Sequence, residues 1–278
     1  VGVITNIGTV HAERAGSQDE IARGKAELVK ALPPAPEGTA ILNYDDPLVR
    51  DMAKDTEARV FFYGLSPQAD LWADQVEGLG LDGIRFRLHY RSETIHLKVP
   101  LIGRHSVHTV LRAAAVGLIE GLSWEEIIWG LRSEHTQLRM VAVRAASGAM
   151  ILDDTYNASP KSMLADLNLL EEMTGRKIAV LGDMLELGQY EEQGHRKVGI
   201  RAAEVADVLV TVGKLGQLIG QAAAEVGFKN ERIHSFLECD QARDFLQEFL
   251  QEKDVVLVKG SRGMRMDKIV AALETEHE

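Results

Sequence analysis

MILDDTYNASP, residues 150–160, is an apolar run that ends in two acids, passes through Thr, Tyr and Asn, and reaches a Ser-Pro helix start. A buried strand whose last residues turn polar, with a helix following at once, is the opening half of a βαβ unit. The pattern repeats downstream: strands are expected at 150–153, 178–181, 208–212, 233–236 and 255–258, with helical segments between and after them. Alternation at this spacing predicts parallel pairing in a doubly wound, Rossmann-like α/β sheet.

Upstream the pattern differs. Residues 1–5, 39–42 and 59–63 read as short buried strands. Ser17 and Glu20 form a capping-box pair before a helix that runs to about Ala31, and Asp46-Pro47 starts a short helix. From 69 to 101 strict alternation appears, as in Ile84-Arg85-Phe86-Arg87-Leu88 and Ile95-His96-Leu97-Lys98-Val99, which predicts antiparallel strands with one wet face. Helical periodicity returns at 106–120, and Ser123 with Glu126 caps another helix that ends near Arg132. The change of pattern places a domain boundary near 138–143, dividing the chain into 1–139 and 140–278.

The chain has 278 residues, 45% of them hydrophobic, enough for one large or two medium domains with ordinary cores. A formal charge of -11 argues against a nucleic-acid surface as the main function, although backbone amides and a few cations still bind an anion. Cys239 is alone, so no internal disulfide forms and a reducing compartment is expected. No apolar run approaches a membrane span. The sequence opens at Val1 directly into an apolar run, so upstream sequence is expected.

In open α/β sheets ligands sit at the carboxyl ends of strands, so the residues there are the candidates. After the first strand come His11 and Glu13, able to hold a divalent metal or polarise a phosphate, although a loop histidine is more often a surface residue. Lys25 lies in the helix that follows, where a lysine is usually a solvated face. Asp153 and Asp154 could bind ribose hydroxyls or a metal, and a cap accounts for Ser159 and Pro160 but not for the two acids. Gly182 to Gly188 reads GDMLELG. Lys259, Ser261 and Arg262 put two cations and a hydroxyl at a strand end, which suits a carboxylate or phosphate as well as it suits a solvated basic turn. No Gly-x-x-x-x-Gly-Lys-Ser/Thr phosphate loop occurs in the chain.

Taken in order, ITNIG (4–8) with His11, the segment around Lys25, ILNYDD (41–46), GRH (103–105), DDTYNASP (153–160), LGDMLELG (181–188) and LVKGSR (257–262) resemble the Mur ligases. DDTYNASP followed by LGDMLELG is the specific part and points to the branch that adds D-Ala-D-Ala to UDP-MurNAc-tripeptide. The resemblance spans nearly the whole chain. It implies a partial central ATPase domain over 1–139, with a parallel sheet plus a small antiparallel sheet, and then a Rossmann-like C-terminal domain over 140–278. An N-terminal part bearing the nucleotide-sugar domain and the phosphate loop would lie outside this chain, leaving the chain inactive by itself.

The same resemblance implies ATP-dependent amide formation through an acyl phosphate, with Mg2+, in a bacterial cytoplasm. It makes His11 a magnesium ligand and Lys25 the lysine that is carbamylated to support the metals. It places Asn43 against the adenine and Arg139, at the domain junction, on the ATP phosphates. Asp154 would take the ribose, with Tyr156 and Asn157 completing that wall, and Lys259, Ser261 and Arg262 would lie near the incoming D-Ala-D-Ala. The sequence departs from the family where asparagines are usual in the helix after Gly103-Arg104-His105: Ser106 and Thr109 stand there. A related ligase of the folylpolyglutamate synthetase kind, or a non-catalytic module on the same scaffold, is the alternative.

Overall fold

The computed structural model describes residues 1–9, 12–132 and 140–274, which form two compact units. One holds Val1–Gly8 and the chain from Ala15 to the end of the first unit's last helix. The other holds Thr9, Ala12 to Arg14 and the chain from Met140 onward.

In the first unit, β1 (Gly2–Ile4) is followed by α2 (Gln18–Lys30); between them in the chain lies a single helical turn, α1 (Ala12–Ala15), most of which belongs to the other unit. Ser17 caps α2 by accepting the Glu20 amide, but Glu20 pairs with Arg23 rather than reaching back, so only half of the expected capping box forms. Next come β2 (Thr39–Asn43), α3 (Pro47–Asp51), β3 (Arg59–Gly64), β4 (Leu71–Gly78), β5 (Ile84–Tyr90), β6 (Glu93–Val99), α4 (Val107–Ile119) and α5 (Trp124–Arg132). Among the described residues the six strands form one sheet in the order β1-β2-β3-β4-β5-β6, parallel from β1 to β4 and antiparallel from β4 to β6. The antiparallel strands join the parallel ones through two register pairs, Tyr63 with Leu71 and Gly64 with Trp72.

The period of two sorts β2 between two cores. Ala40 and Leu42 pack with Val29 of α2 and Val49 of α3, while Ile41 packs with Phe61, Phe86 and Leu111 of α4 on the other face. Helices thus cover both faces of the parallel part, which is why those strands read as unbroken apolar runs.

The second unit runs β7 (Val141–Arg144), β8 (Met150–Asp154), α6 (Pro160–Glu172), β9 (Arg176–Gly182), α7 (Glu191–Val205), β10 (Val208–Val212), α8 (Gly216–Glu225), β11 (Ile233–Phe236), α9 (Cys239–Phe249), β12 (Asp254–Lys259) and α10 (Asp267–Leu273). Its sheet order is β11-β10-β9-β12-β8-β7, parallel except for the β7–β8 pair. Ile151, Ile178, Val210, Val256 and Val258 face Leu246 of α9 and Ile269 of α10. The alternate residues Leu152, Leu181, Leu209 and Leu257 are equally buried, on the side where α6 and α8 meet the sheet. The edge strand β7 was not anticipated. Its four residues are largely exposed, so no buried run announces it.

Candidate functional site

Both sheets present their polar motifs at the carboxyl ends of parallel strands. In the first unit, NYDD (43–46) is a staple. Asn43 Nδ2 donates to Thr5 O at 2.9 Å, and its Oδ1 accepts Asp45 N at 3.0 Å. Asp46 caps α3 by accepting Leu48 N at 3.1 Å, and its other oxygen accepts Ile7 N at 2.8 Å. Asp45 accepts Leu65 N and pairs with His108 Nε2, each at 2.8 Å. Burial opposes ionisation of Asp45, yet the bonds from His108 and Leu65 outweigh it and hold its carboxyl below the ordinary range. The loops after β1 and β3 and the first turn of α4 are thereby tied to one segment.

Lys25 is exposed on α2, and its Nζ donates to Asn6 O at 2.8 Å. Beside it lies a hollow of about 260 Å³ lined by Val3, Ile4, Thr5, Gly24, Lys25 and Leu28. Unmodified, Lys25 is a cation and cannot ligate a metal. Among the described residues no group of three or more His, Cys, Asp or Glu is arranged to hold one. His11 and Arg139 lie outside the described residues.

Asn43, expected against the adenine, sits at the end of β2. It is 5% exposed, and one N–H and the oxygen of its amide brace the ends of neighbouring strands. The departures at Ser106 and Thr109 are likewise engaged internally: Ser106 Oγ donates to Ile102 O at 2.7 Å, and Thr109 Oγ1 accepts from Arg112 at 2.9 Å.

In the second unit the specific motifs lie on three adjacent strands, β9, β12 and β8. Asp154 and Lys259 end β8 and β12 and are register partners. The Lys259 ammonium pairs with Asp154 and, at 2.8 Å, with Asp166 of α6. Exposure of the three is 8%, 1% and 2% in the order Asp154, Lys259, Asp166. Lys259, expected near a substrate carboxylate, has its ammonium paired inside the fold. Ser261 is also buried. Its Oγ accepts Leu185 N at 2.8 Å and its own N–H donates to Asp183 O at 3.0 Å, which ties the KGSR turn to the GDMLELG loop. Tyr156, Asn157 and Arg262 remain exposed, and the Arg262 guanidinium lies 5.8 Å from the Tyr156 ring centroid.

Two residues that complete this region were not singled out in the sequence, Asp166 and His195. Asp166 interrupts the apolar stripe Met163, Leu167, Leu170 of α6, and an acid at a core position of a helix was the available signal. His195 occupies the buried stripe of α7 with Val198 and Ala202. Its Nε2 accepts Met184 N at 2.9 Å and its Nδ1 contacts Glu191 O at 2.6 Å, so the neutral ring with its proton on Nδ1 satisfies both bonds. Burial lowers its pKa and favours that neutral form. Asp183 accepts Gly216 N at 2.7 Å and so serves the first turn of α8. Gly213 is required beside it: with φ at +97°, an added Cβ would stand 2.2 Å from Asp183 Oδ1.

Burial pushes the Asp166 carboxyl up to about 7, with Lys259 opposing and Asp154 adding to the rise. Between the ordinary carboxylate value of 3.8 and about 7 the folded protein holds a proton that the unfolded chain releases. The stability this group contributes is therefore full below about pH 4 and is lost as the pH rises through about 7. Relative to Asp166→Asn, the unsubstituted chain is expected to lose stability over that window, read as urea midpoints by circular dichroism. A gap that is flat or that widens in its favour contradicts the assignment.

Comparison with known proteins agrees with this geometry. Residues 1–117 match the Mur ligase middle domain, and residues 138–262 match the family described as Mur ligase, glutamate ligase domain. The chain belongs to the Mur ligase family. Within it, the chain is similar to the UDP-N-acetylmuramoyl-tripeptide–D-alanyl-D-alanine ligase of Bacillus subtilis (strain 168), 33% identical over 98% of this chain and 58% of that protein. It is 36% identical to the enzyme of the same name from Mycobacterium bovis, with the same coverages. The crystal structure of MurF from Acinetobacter baumannii superposes with a TM-score of 0.85 at 29% identity, over 98% of this chain and 58% of that one. The chain thus spans 58% of the length of these relatives. Among the described residues no helix is long and apolar enough to cross a membrane.

Proposed function

We propose that the protein containing this chain is the ATP-dependent ligase that joins D-Ala-D-Ala to UDP-MurNAc-tripeptide in the bacterial cytoplasm, and that the chain supplies the latter part of its central domain, over 1–139, and its C-terminal domain, over 140–278. The observation that carries this reading is the convergence of DDTYNASP, LGDMLELG and KGSR on three adjacent strands of one carboxyl edge, in a chain matched along 98% of its length by ligases of that name.

ATP would supply the phosphoryl group that turns the tripeptide carboxylate into an acyl phosphate, from which the amine of D-Ala-D-Ala displaces phosphate. The exposed Tyr156 ring and Asn157, on the loop that follows Asp154, suit a ribose and its surroundings. Exposed Arg262 suits the carboxylate of the incoming dipeptide, with Lys259 and Ser261 shaping the turn that carries it. Lys25, once carbamylated, would offer an anion to Mg2+ together with His11, and Arg139 would meet the phosphates.

The test is phosphate release from ATP by the complete gene product that contains this chain. Release that requires UDP-MurNAc-tripeptide and D-Ala-D-Ala together is expected. Release that is independent of the dipeptide, or none from a folded protein, refutes the reading.

A further inference from the structure

Within the second unit, the least expected feature in physical terms is the ammonium of Lys259 held between two carboxylates where almost no water reaches. A buried ion cluster costs several kcal/mol of desolvation per charge, so it contributes little net stability relative to apolar residues of the same volume. Its position suggests a different use. Asp154 is the last residue of β8 and Lys259 the last residue of β12, and the two are register partners on neighbouring parallel strands. Asp166 reaches them from α6, the helix that begins directly after the DDTYNASP turn. The cluster therefore sits at the root of two loops, residues 155–159 and 260–264. At their tips the same loops meet again through Arg262 over the Tyr156 ring.

The contacts are also directional. Lys259 binds Oδ2 of Asp154 and Oδ2 of Asp166. Among the described residues Asp166 Oδ2 is buried and has no hydrogen-bond partner, so its tie to the cluster is the ion pair with Lys259. Asp154 is thus held through one oxygen by Lys259, which is 1% exposed and is itself paired with Asp166. Between the clamp at the root and the stacked pair at the tip, Asp153 accepts Thr155 N at 2.9 Å and Asn157 accepts Ala158 N at 2.9 Å, so the first loop has little freedom of its own.

We propose that Asp166 and Lys259 are positioning residues for nucleotide binding: they hold the Asp154 carboxylate and the two loops rooted beside it in the one arrangement that accepts a ribose. The inference rests on the nucleotide-binding reading of Asp154 given above. Asp166 touches no ligand and acts through Lys259 and Asp154.

The experiment uses the complete gene product and two probes. ADP and UDP-MurNAc-tripeptide are titrated by calorimetry, and amide exchange is followed at residues 155–158 and 260–263 without nucleotide. Asp166→Ala is expected to weaken ADP by about tenfold, the order lost with a charged hydrogen-bonding partner, to leave tripeptide affinity unchanged, and to speed exchange in both loops together. Asp166→Asn, which keeps a side-chain hydrogen bond to the clamp, is expected to bind ADP within about threefold of the unsubstituted protein. Should the alanine variant fail to fold, Asp166→Glu, which displaces the carboxyl by one methylene, is expected to give the same selective loss for ADP. A purely structural cluster would lower stability while both affinities and the loop exchange rates stay unchanged, and that result overturns the proposal. If the unsubstituted protein does not bind ADP, the nucleotide reading fails; loop exchange unchanged by Asp166→Ala sinks the clamp independently.

Discussion

Lys259→Met is expected to lower the stability of the second unit by about 3–5 kcal/mol, the range for breaking a buried ion pair from one side. The substitution preserves much of the side-chain volume and removes the charge. Asp154 and Asp166 would be left facing each other with 8% and 2% exposure and no cation. At least one of them must then take up a proton or the strand ends must open to water. Native-state amide exchange at Val256, Leu257 and Val258 of β12 reads the loss directly, because these central-strand amides exchange only through large-scale opening. Replacing the three charged residues together by apolar ones is expected to recover most of the loss, since the cost lies in the uncompensated charges. A change below about 1 kcal/mol for Lys259→Met would mean that the cluster is solvated and not a buried clamp.

Lys25→Ala is expected to do the opposite: a large loss of ligation with little loss of stability. Lys25 is exposed and donates one bond to Asn6 O, so the fold barely depends on it. If its carbamate supports the metal that neutralises transferring phosphate, removing it forfeits several kcal/mol of transition-state stabilisation, about a thousandfold in rate. Lys25→Arg keeps the positive charge but cannot carry the carbamate, so it is expected to fail as badly. Steady-state ligation rates in the complete gene product check both. Full activity with arginine would make Lys25 a simple cation and remove the metal-support role.

Much of the fold could be read from the sequence. Strands buried on both faces are unbroken apolar runs, so β10 falls where its run predicts and β8, β9 and β12 within two residues of it, while the half-buried edge strand β11 also falls where expected, in step with the strand–helix alternation. The alternating segments gave β5 and β6 in the same way. What escaped was structure without a local signature. The exposed edge strand β7 buries too little to leave a pattern, and the two-residue ladder between β3 and β4 that merges parallel and antiparallel parts has no sequence mark.

The site divides similarly. The motifs located the carboxyl edge correctly, but a motif does not say which of its residues point outward. Lys259 and Asp154 are 105 residues apart in the chain, and only the register of β12 on β8 makes them partners. Asn43 and Ser261 are polar residues at strand ends, as ligand-binding residues are. Their hydrogen bonds go to the loops of neighbouring strands, because buried backbone groups at those ends need partners. Asp166 and His195 sat within helical stripes that were read for their apolar members.

The bond that the protein forms decides the proposed function. Mass spectrometry of the product made by the complete gene product from UDP-MurNAc-tripeptide and ATP, with D-Ala-D-Ala, D-Ala and L-glutamate offered in equal amounts, tests it most directly. A single product is expected, the tripeptide extended by D-Ala-D-Ala. A product extended by glutamate, or by one alanine alone, would contradict it and assign the chain to another amide ligase of this scaffold.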